Sequence, residues 1–126
     1  MPLTRISMIR GKTPEYRKAV AEGVYTAMRE TFNVPEEDKF IVIDEYDPDN
    51  FFYSSNYLGI VRSGDLMLIQ TTVSNTRSIE QKMALFERIV QRLAQDPGVM
   101  PEDIFINLVE VVKENWSFGK GLAQYA

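Results

Sequence analysis

Apolar and polar positions alternate along Leu3 to Ile9, where Leu3, Ile6 and Met8 sit among polar neighbours, the pattern of a strand with one buried face. The chain turns at Arg10-Gly11-Lys12, and Thr13-Pro14-Glu15 then starts a helix. Thr13 serves as N-cap, and Pro14 takes the first helical position, where a missing N–H costs nothing. Val20, Val24, Ala27 and Met28 recur at helical spacing, and the helix is predicted to end near Phe32-Asn33, before Pro35. Phe40 to Tyr46 reads as a second strand, closed by the turn Asp47-Pro48-Asp49-Asn50. Between Phe51 and Arg62 the pattern is less regular and predicts one short aromatic strand and a second around Leu58 to Val61. After a turn at Arg62-Ser63-Gly64-Asp65, Leu66 to Val73 is apolar enough for a central strand. Ser78 caps a second helix with Phe86, Ile89, Val90 and Leu93 as its inner stripe, ended by Pro97-Gly98. Ile104 to Val112 is the fourth main strand, and a short aromatic, glycine-punctuated tail follows from Asn115.

The order strand-helix-strand thus occurs twice, at one constant offset. Thr13 and Ser78, Glu15 and Glu80, Ala19 and Ala84, Glu22 and Glu87 are all 65 residues apart. So are Val34 and Val99, Asp38 and Asp103, Phe40 and Phe105, Glu45 and Glu110. Matching caps, helix faces and strand starts without a gap indicates an internal β-α-β repeat, about 2–46 and 67–111, within one domain spanning 1–126. The expected fold class is α+β: two fused β-α-β units make a four-stranded sheet with both helices on one face. The other face stays open and needs a partner, for which self-association is the simplest source.

Composition narrows the chemistry. A chain of 126 residues with 44% hydrophobic and 25% charged residues has the make-up of one globular domain with its own core. It carries no long apolar run and no basic-then-apolar leader, so neither a membrane span nor a signal peptide is read, and a cytoplasmic protein is expected. A net charge of −4 without a Lys/Arg cluster argues against nucleic acid as the main partner. No cysteine is present, so disulfides and thiol nucleophiles are excluded. No histidine is present either, which removes Ser-His-Asp and Cys-His catalysis and histidine-bound zinc. Acid-base chemistry near neutrality then falls to a tuned carboxylate, lysine or tyrosine, or to the amino terminus. The run Asp44-Glu45-Tyr46-Asp47-Pro48-Asp49 is acidic but lacks the spacing of a calcium loop and reads as a solvated turn.

Met1-Pro2 is the candidate that gains from these exclusions. Removal of the initiator methionine would make Pro2 a chain-terminal secondary amine able to carry protons. An apolar pocket or a nearby cation would lower its pKa towards that of a general base. The plainer reading is that proline is common at the first position of a strand.

Pro2 at the start of the first strand, the two β-α-β units, Arg77-Ser78 followed by Glu80-Gln81-Lys82, and the terminal Asn115-Trp116-Ser117-Phe118-Gly119 together resemble the tautomerase superfamily. Within it the chain is most similar to the malonate semialdehyde decarboxylase-like group, along essentially its whole length. The resemblance implies a homotrimer with an amino-terminal proline at the base of each active site. By position, Pro2 matches the catalytic proline and Asp38 the aspartate that assists it. Arg77 matches an arginine that binds the substrate carboxylate and polarises an adjacent oxygen. Trp116 and Phe118 match the aromatic wall of the pocket.

Each residue also has a structural reading. Arg77 offers a planar fork for a carboxylate or enolate, or is a surface arginine ahead of a helix. Asp38 assists Pro2, or caps the approach to its strand as Asp103 does in the second copy. Trp116 and Phe118 line a pocket, close an intersubunit contact, or do both. The segment Ser74-Asn75-Thr76-Arg77 departs from the group's pattern, which has two arginines separated by one residue. Asn75 stands where the first is expected, with a possible slip of one residue, and an amide supplies no charge. Decarboxylation and hydration lean on the paired cations, whereas proton transfer needs less. The expected activity is therefore cofactor-independent keto-enol tautomerisation of a small 2-oxo acid, with neither metal nor organic cofactor called for. Pro2 would be base and acid, with Asp38 assisting it; Arg77, Asn75, Trp116 and Phe118 would hold the substrate. The alternatives are a malonate semialdehyde-type decarboxylase or hydratase, and a non-catalytic trimeric ligand-binding protein of the same fold.

Overall fold

The computed structural model describes residues 2–126. Four strands, β1 (Leu3–Ile9), β2 (Ile41–Tyr46), β3 (Met67–Ser74) and β4 (Ile104–Val111), alternate with two helices, α1 (Pro14–Phe32) and α2 (Ile79–Gln95). They form one sheet in the order β2-β1-β3-β4. The pairs β1–β2 and β3–β4 are parallel and each encloses its helix in sequence, whereas β1 and β3 run antiparallel. This is the α+β arrangement of two fused β-α-β units.

Both helices begin as their sequences dictate. The Thr13 hydroxyl accepts the Tyr16 N–H at 3.1 Å, with Pro14 opening α1. Ser78 and Gln81 form a reciprocal capping box, the Ser78 Oγ accepting the Gln81 N–H at 3.1 Å and the Gln81 side chain accepting the Ser78 N–H at 3.0 Å. Asn33 ends α1 in the left-handed conformation at φ 54°, which asparagine tolerates better than most residues.

The strand registers keep the 65-residue offset. Thr4 pairs with Ile41 and Ile69 with Ile106; Ile9 pairs with Tyr46 and Ser74 with Val111. The antiparallel pairing is centred on Arg5 opposite Gln70, themselves 65 apart, so a local twofold axis passes between them. Beside this axis Thr4 and Thr71 face each other, their buried hydroxyls 3.0 Å apart. The core lies between the helices and one sheet face. Ile6 and Met8 of β1 and Met67, Ile69 and Val73 of β3 pack against Val20, Val24, Ala27, Met28 and Phe32 of α1 and Leu85, Ile89 and Leu93 of α2. Gly23 lets the helices approach: a Cβ there would stand 2.8 Å from Leu93 Cδ2.

Two expectations change. The inner stripe of α2 runs through Leu85 rather than Phe86, which is 36% exposed, while Ile89 and Leu93 are buried and Val90 partly so. Stepping by four residues from 85 to 93 turns the helix slightly from the phase the aromatic side chain suggested. No strand lies between residues 51 and 62; Tyr57–Gly59 form a short 3₁₀ turn with Leu58 at φ 58°, and Tyr53, Tyr57 and Leu58 face solvent. Alternating aromatic residues there have no neighbouring strand to pair with, so the pattern cannot become β-structure.

The second sheet face is uncovered. Leu3, Val42, Phe105 and Val109 are exposed on it, beside an Arg5–Asp44 ion pair and a Gln70–Asn107 side-chain hydrogen bond. No described helix is long and apolar enough to cross a membrane.

Candidate active site

Because β1 and β3 are antiparallel, with Leu3 opposite Thr72, the start of β1 lies beside the end of β3. Ser74, the last residue of β3 and 4% exposed, accepts a hydrogen bond from Trp116 Nε1 at 3.0 Å. That bond brings the tail after β4 over the first residues of the chain. Trp116 stacks on Phe118 with ring centroids 5.4 Å apart and planes at 21°, and Tyr125 meets Phe118 edge-on at 5.0 Å. The tail is tied down further by Gln124, which accepts the Phe118 N–H at 3.0 Å and donates to the Gly119 carbonyl at 3.1 Å.

The result is a pocket of about 210 Å³ lined by Pro2, Leu3, Phe40, Trp116, Ser117 and Phe118. Pro2 is buried at its base. The lining is predominantly apolar, an environment that disfavours a charged amine and strengthens any polar contact made inside it. Phe40 is held alongside β1 by the Thr4 N–H bonded to the Phe40 carbonyl at 3.0 Å. Met1, whose removal would free the Pro2 nitrogen, lies outside the described residues.

The polar candidates are not on the lining of this pocket. Asp38 is 6% exposed in the loop before β2, its N–H bonded to the Pro35 carbonyl at 3.0 Å. Burial pushes its carboxyl above the ordinary aspartate range, and the positive charge of Arg77 partly offsets that rise. Arg77 is half-buried: its guanidinium carbon lies 4.9 Å from the Phe32 ring centroid, and it donates to the Phe32 carbonyl at 2.9 Å and to Thr76 Oγ1 at 3.1 Å. These two contacts engage two of the guanidinium's five N–H groups and set its plane against the carboxyl end of α1. Asn75 is exposed, and its backbone N–H bonds to the Val111 carbonyl at 3.0 Å.

Pro2, Trp116 and Phe118 are therefore brought together, with Asp38 and Arg77 within electrostatic reach of each other; Asn75 is not on the pocket lining. Sequence reasoning missed Leu3, Phe40 and Ser117 as lining residues and Ser74 as the anchor of Trp116. For Phe40 a signal existed, since it recurs as Phe105 on the open side of both outer strands. Among the described residues no group of three or more His, Cys, Asp or Glu side chains is placed to hold a metal ion.

Two family models, both described as tautomerase enzyme, match the chain, over residues 38–119 and 2–59. The chain is 38% identical over 124 residues to the probable tautomerase YusQ of Bacillus subtilis strain 168, covering 98% of both chains. It is 28% identical over 125 residues to the probable tautomerase YrdN of the same strain, covering 99% of this chain and 96% of that one. Among solved structures it superimposes on malonate semialdehyde decarboxylase with a TM-score of 0.92 at 28% identity, covering 98% of this chain and 95% of the other. The FG41 malonate semialdehyde decarboxylase inhibited by 3-bromopropiolate gives 0.91 at 34%, over 98% and 93%. A fused symmetric trimer described as wild-type 4-OT shares the fold, with a TM-score of 0.80 at 21% identity and coverage of 98% and 97%. With the pocket, the paired β-α-β units and these relatives in agreement, the chain belongs to the tautomerase superfamily, in its malonate semialdehyde decarboxylase-like group, and is an enzyme of tautomerase type.

Proposed function

We propose that this enzyme interconverts the keto and enol forms of a small 2-oxo acid, with Pro2 as the proton carrier once Met1 is removed. The observation that carries the reading is the position of Pro2, buried at the base of an apolar pocket walled by stacked Trp116 and Phe118. A neutral secondary amine there takes a proton from the enol hydroxyl, the electron pair moves to form the carbonyl, and the amine returns a proton to the adjacent carbon. The reverse direction begins at that carbon. No net charge or electron is gained or lost.

Arg77 meets the substrate carboxylate and the oxygen that becomes enolate, using N–H groups not engaged by Phe32 and Thr76. Asp38 steadies the amine or the water beside it, and Asn75 adds a neutral hydrogen bond at the rim. The aromatic wall keeps the pocket dry enough for these contacts to count. The working assembly is a homotrimer in which the open sheet face, with Leu3, Val42, Phe105 and Val109, is covered by neighbouring copies. The trimeric description of the fused 4-OT structure, which has the same fold, supports this.

The test pairs intact mass of untagged protein with phenylpyruvate tautomerisation by the parent and Pro2→Ala. Loss of Met1 together with a fall of about tenfold or more in Pro2→Ala is the expected result. A retained Met1, or activity indifferent to Pro2, overturns it. Decarboxylase or hydratase activity is the second reading, favoured by the likeness to malonate semialdehyde decarboxylases at 28% and 34% identity. It requires Pro2 to be cationic at working pH, so a proline titrating well above neutrality would favour it.

A further inference from the structure

The local twofold that relates the two β-α-β units also relates the active-site pocket to a second one. The 65-residue correspondence does not stop at the strands. The turn Pro48–Asn50 after β2 matches the turn Lys113–Asn115 after β4. The Phe51 N–H bonds to the Pro48 carbonyl at 3.4 Å, and the Trp116 N–H to the Lys113 carbonyl at 3.4 Å. Phe51 and Tyr53 then meet edge-on, with ring centroids 5.7 Å apart and planes at 74°, where Trp116 and Phe118 stack at 5.4 Å and 21°.

Carried through that offset, Leu3, Phe40, Ser117 and Phe118 of the first pocket become Leu68, Phe105, Phe52 and Tyr53. All four line a separate pocket of about 310 Å³, completed by Ser54, Tyr57, Arg62 and Leu66. Three differences matter. Phe51, which takes the place of Trp116, is not on this lining. The place of Pro2 is taken by Met67, whose nitrogen is bound in an ordinary peptide bond and carries no basicity. The second pocket also holds its own cation. Arg62 lies 5.7 Å from the Phe105 ring centroid, donates to the Glu102 carbonyl at 2.8 Å, and has its backbone N–H bonded to the Ser55 carbonyl at 2.9 Å. Tyr53 donates to the Ser63 carbonyl at 2.8 Å, which fixes the wall opposite.

We infer that this second pocket, built from Leu68, Phe105, Phe52, Tyr53 and Arg62, is a binding site for a small aromatic carboxylate that holds its ligand without turning it over. The aromatic walls take the ring, and the Arg62 guanidinium takes the carboxylate. Without a basic nitrogen at the place of Pro2 the site lacks the proton carrier assigned to the first pocket, so it binds without turning its ligand over.

The experiment uses 3-phenylpropanoate, which has the ring and the carboxylate but no enolisable ketone. Equilibrium dialysis counts bound ligand per chain. Trp116, the single tryptophan, lines the first pocket only, so its fluorescence reports that pocket alone. The parent is expected to bind two equivalents per chain in the millimolar range, with Trp116 following one of them. Arg62→Gln loses the second equivalent with the Trp116 titration and phenylpyruvate tautomerisation unchanged, and Arg62→Lys regains it. If Arg62→Gln disturbs the fold, seen as a shifted Trp116 titration, Phe52→Ala replaces it; that side chain is 89% exposed, and its truncation weakens the second equivalent alone. One equivalent or none in the parent, or two in Arg62→Gln, overturns the inference. Neither binding readout involves turnover, so a failure of the Pro2 mechanism leaves this result independent.

Discussion

Asp38 and Asp103 occupy matching places 65 residues apart, each ahead of the outer strand of its unit and each buried, at 6% and 1% exposure. Their surroundings differ. Asp103 accepts the Ser63 N–H at 2.7 Å and the Ser63 hydroxyl at 2.5 Å, from the turn that leads into β3. At the 65-residue offset Ser63 has no counterpart ahead of β1, because the chain begins there. Replacing Asp103 by Asn removes the charge from an acceptor of two bonds, and a hydrogen bond to a charged group contributes about 1.5–3 kcal/mol. The amide oxygen keeps one of the two, so a net loss of about 2 kcal/mol is expected. For 126 residues the unfolding entropy is about 0.26 kcal/mol/K, which makes this a fall in Tm of about 8 °C. Asp38→Asn behaves differently. The folded chain raises the Asp38 carboxyl above 3.8, so between that value and the folded-state pKa the folded form binds more protons than the unfolded one. Parent stability therefore falls as pH rises through this window, and Asp38→Asn lacks that fall. The Tm of Asp38→Asn relative to the parent should rise as pH increases from about 4 to about 8. Near-UV circular dichroism melts at one fixed protein concentration measure all three proteins, since assembly couples Tm to concentration. An Asp103→Asn melt within about 1 °C of the parent, or an Asp38→Asn difference that does not grow with pH, would refute the division of labour argued here.

Ser74→Ala removes the acceptor of the Trp116 indole N–H, and a cost of about 1 kcal/mol, or ~4 °C in Tm, is expected. Trp116 emission should shift to the red and KM for phenylpyruvate should rise more than kcat falls; unchanged emission would show that the bond does not anchor the tail. Gly23→Ala gains about 1 kcal/mol of helix propensity but drives a methyl to 2.8 Å from Leu93 Cδ2, at a cost of about 1–3 kcal/mol. Denaturant unfolding should show net destabilisation that Leu93→Ala relieves in the double variant; additivity of the two changes would place the conflict elsewhere.

Much of the scaffold was legible because its signals are local. Thr13 and Ser78 cap helices through their own first turns, and the alternation in β1 and β3 needs only one buried face. The offset of 65 then joined those local signals into two units. The segment from 51 to 62 misled because aromatic alternation is necessary for a strand but a partner edge is also required, and that depends on where the chain leaves β2. The meeting of Trp116 with Pro2 is likewise a property of the β1–β3 register, which no single segment encodes.

The same register explains why the two halves can share an architecture yet differ in chemistry. Phe51 and Tyr53 match Trp116 and Phe118 in backbone course, but their rings meet edge-on rather than stacked and their identities differ, so residue matching loses the correspondence just where the pockets begin. The scaffold needs only a ring at each place, and many sequences satisfy that. A proton carrier needs a basic nitrogen, which a peptide bond removes: Met67 keeps the strand but not the base, whereas Pro2 supplies both once Met1 is gone. The proposed asymmetry of function therefore rests on one covalent difference at the start of otherwise equivalent strands, and the Pro2→Ala and Arg62→Gln variants probe its two sides separately.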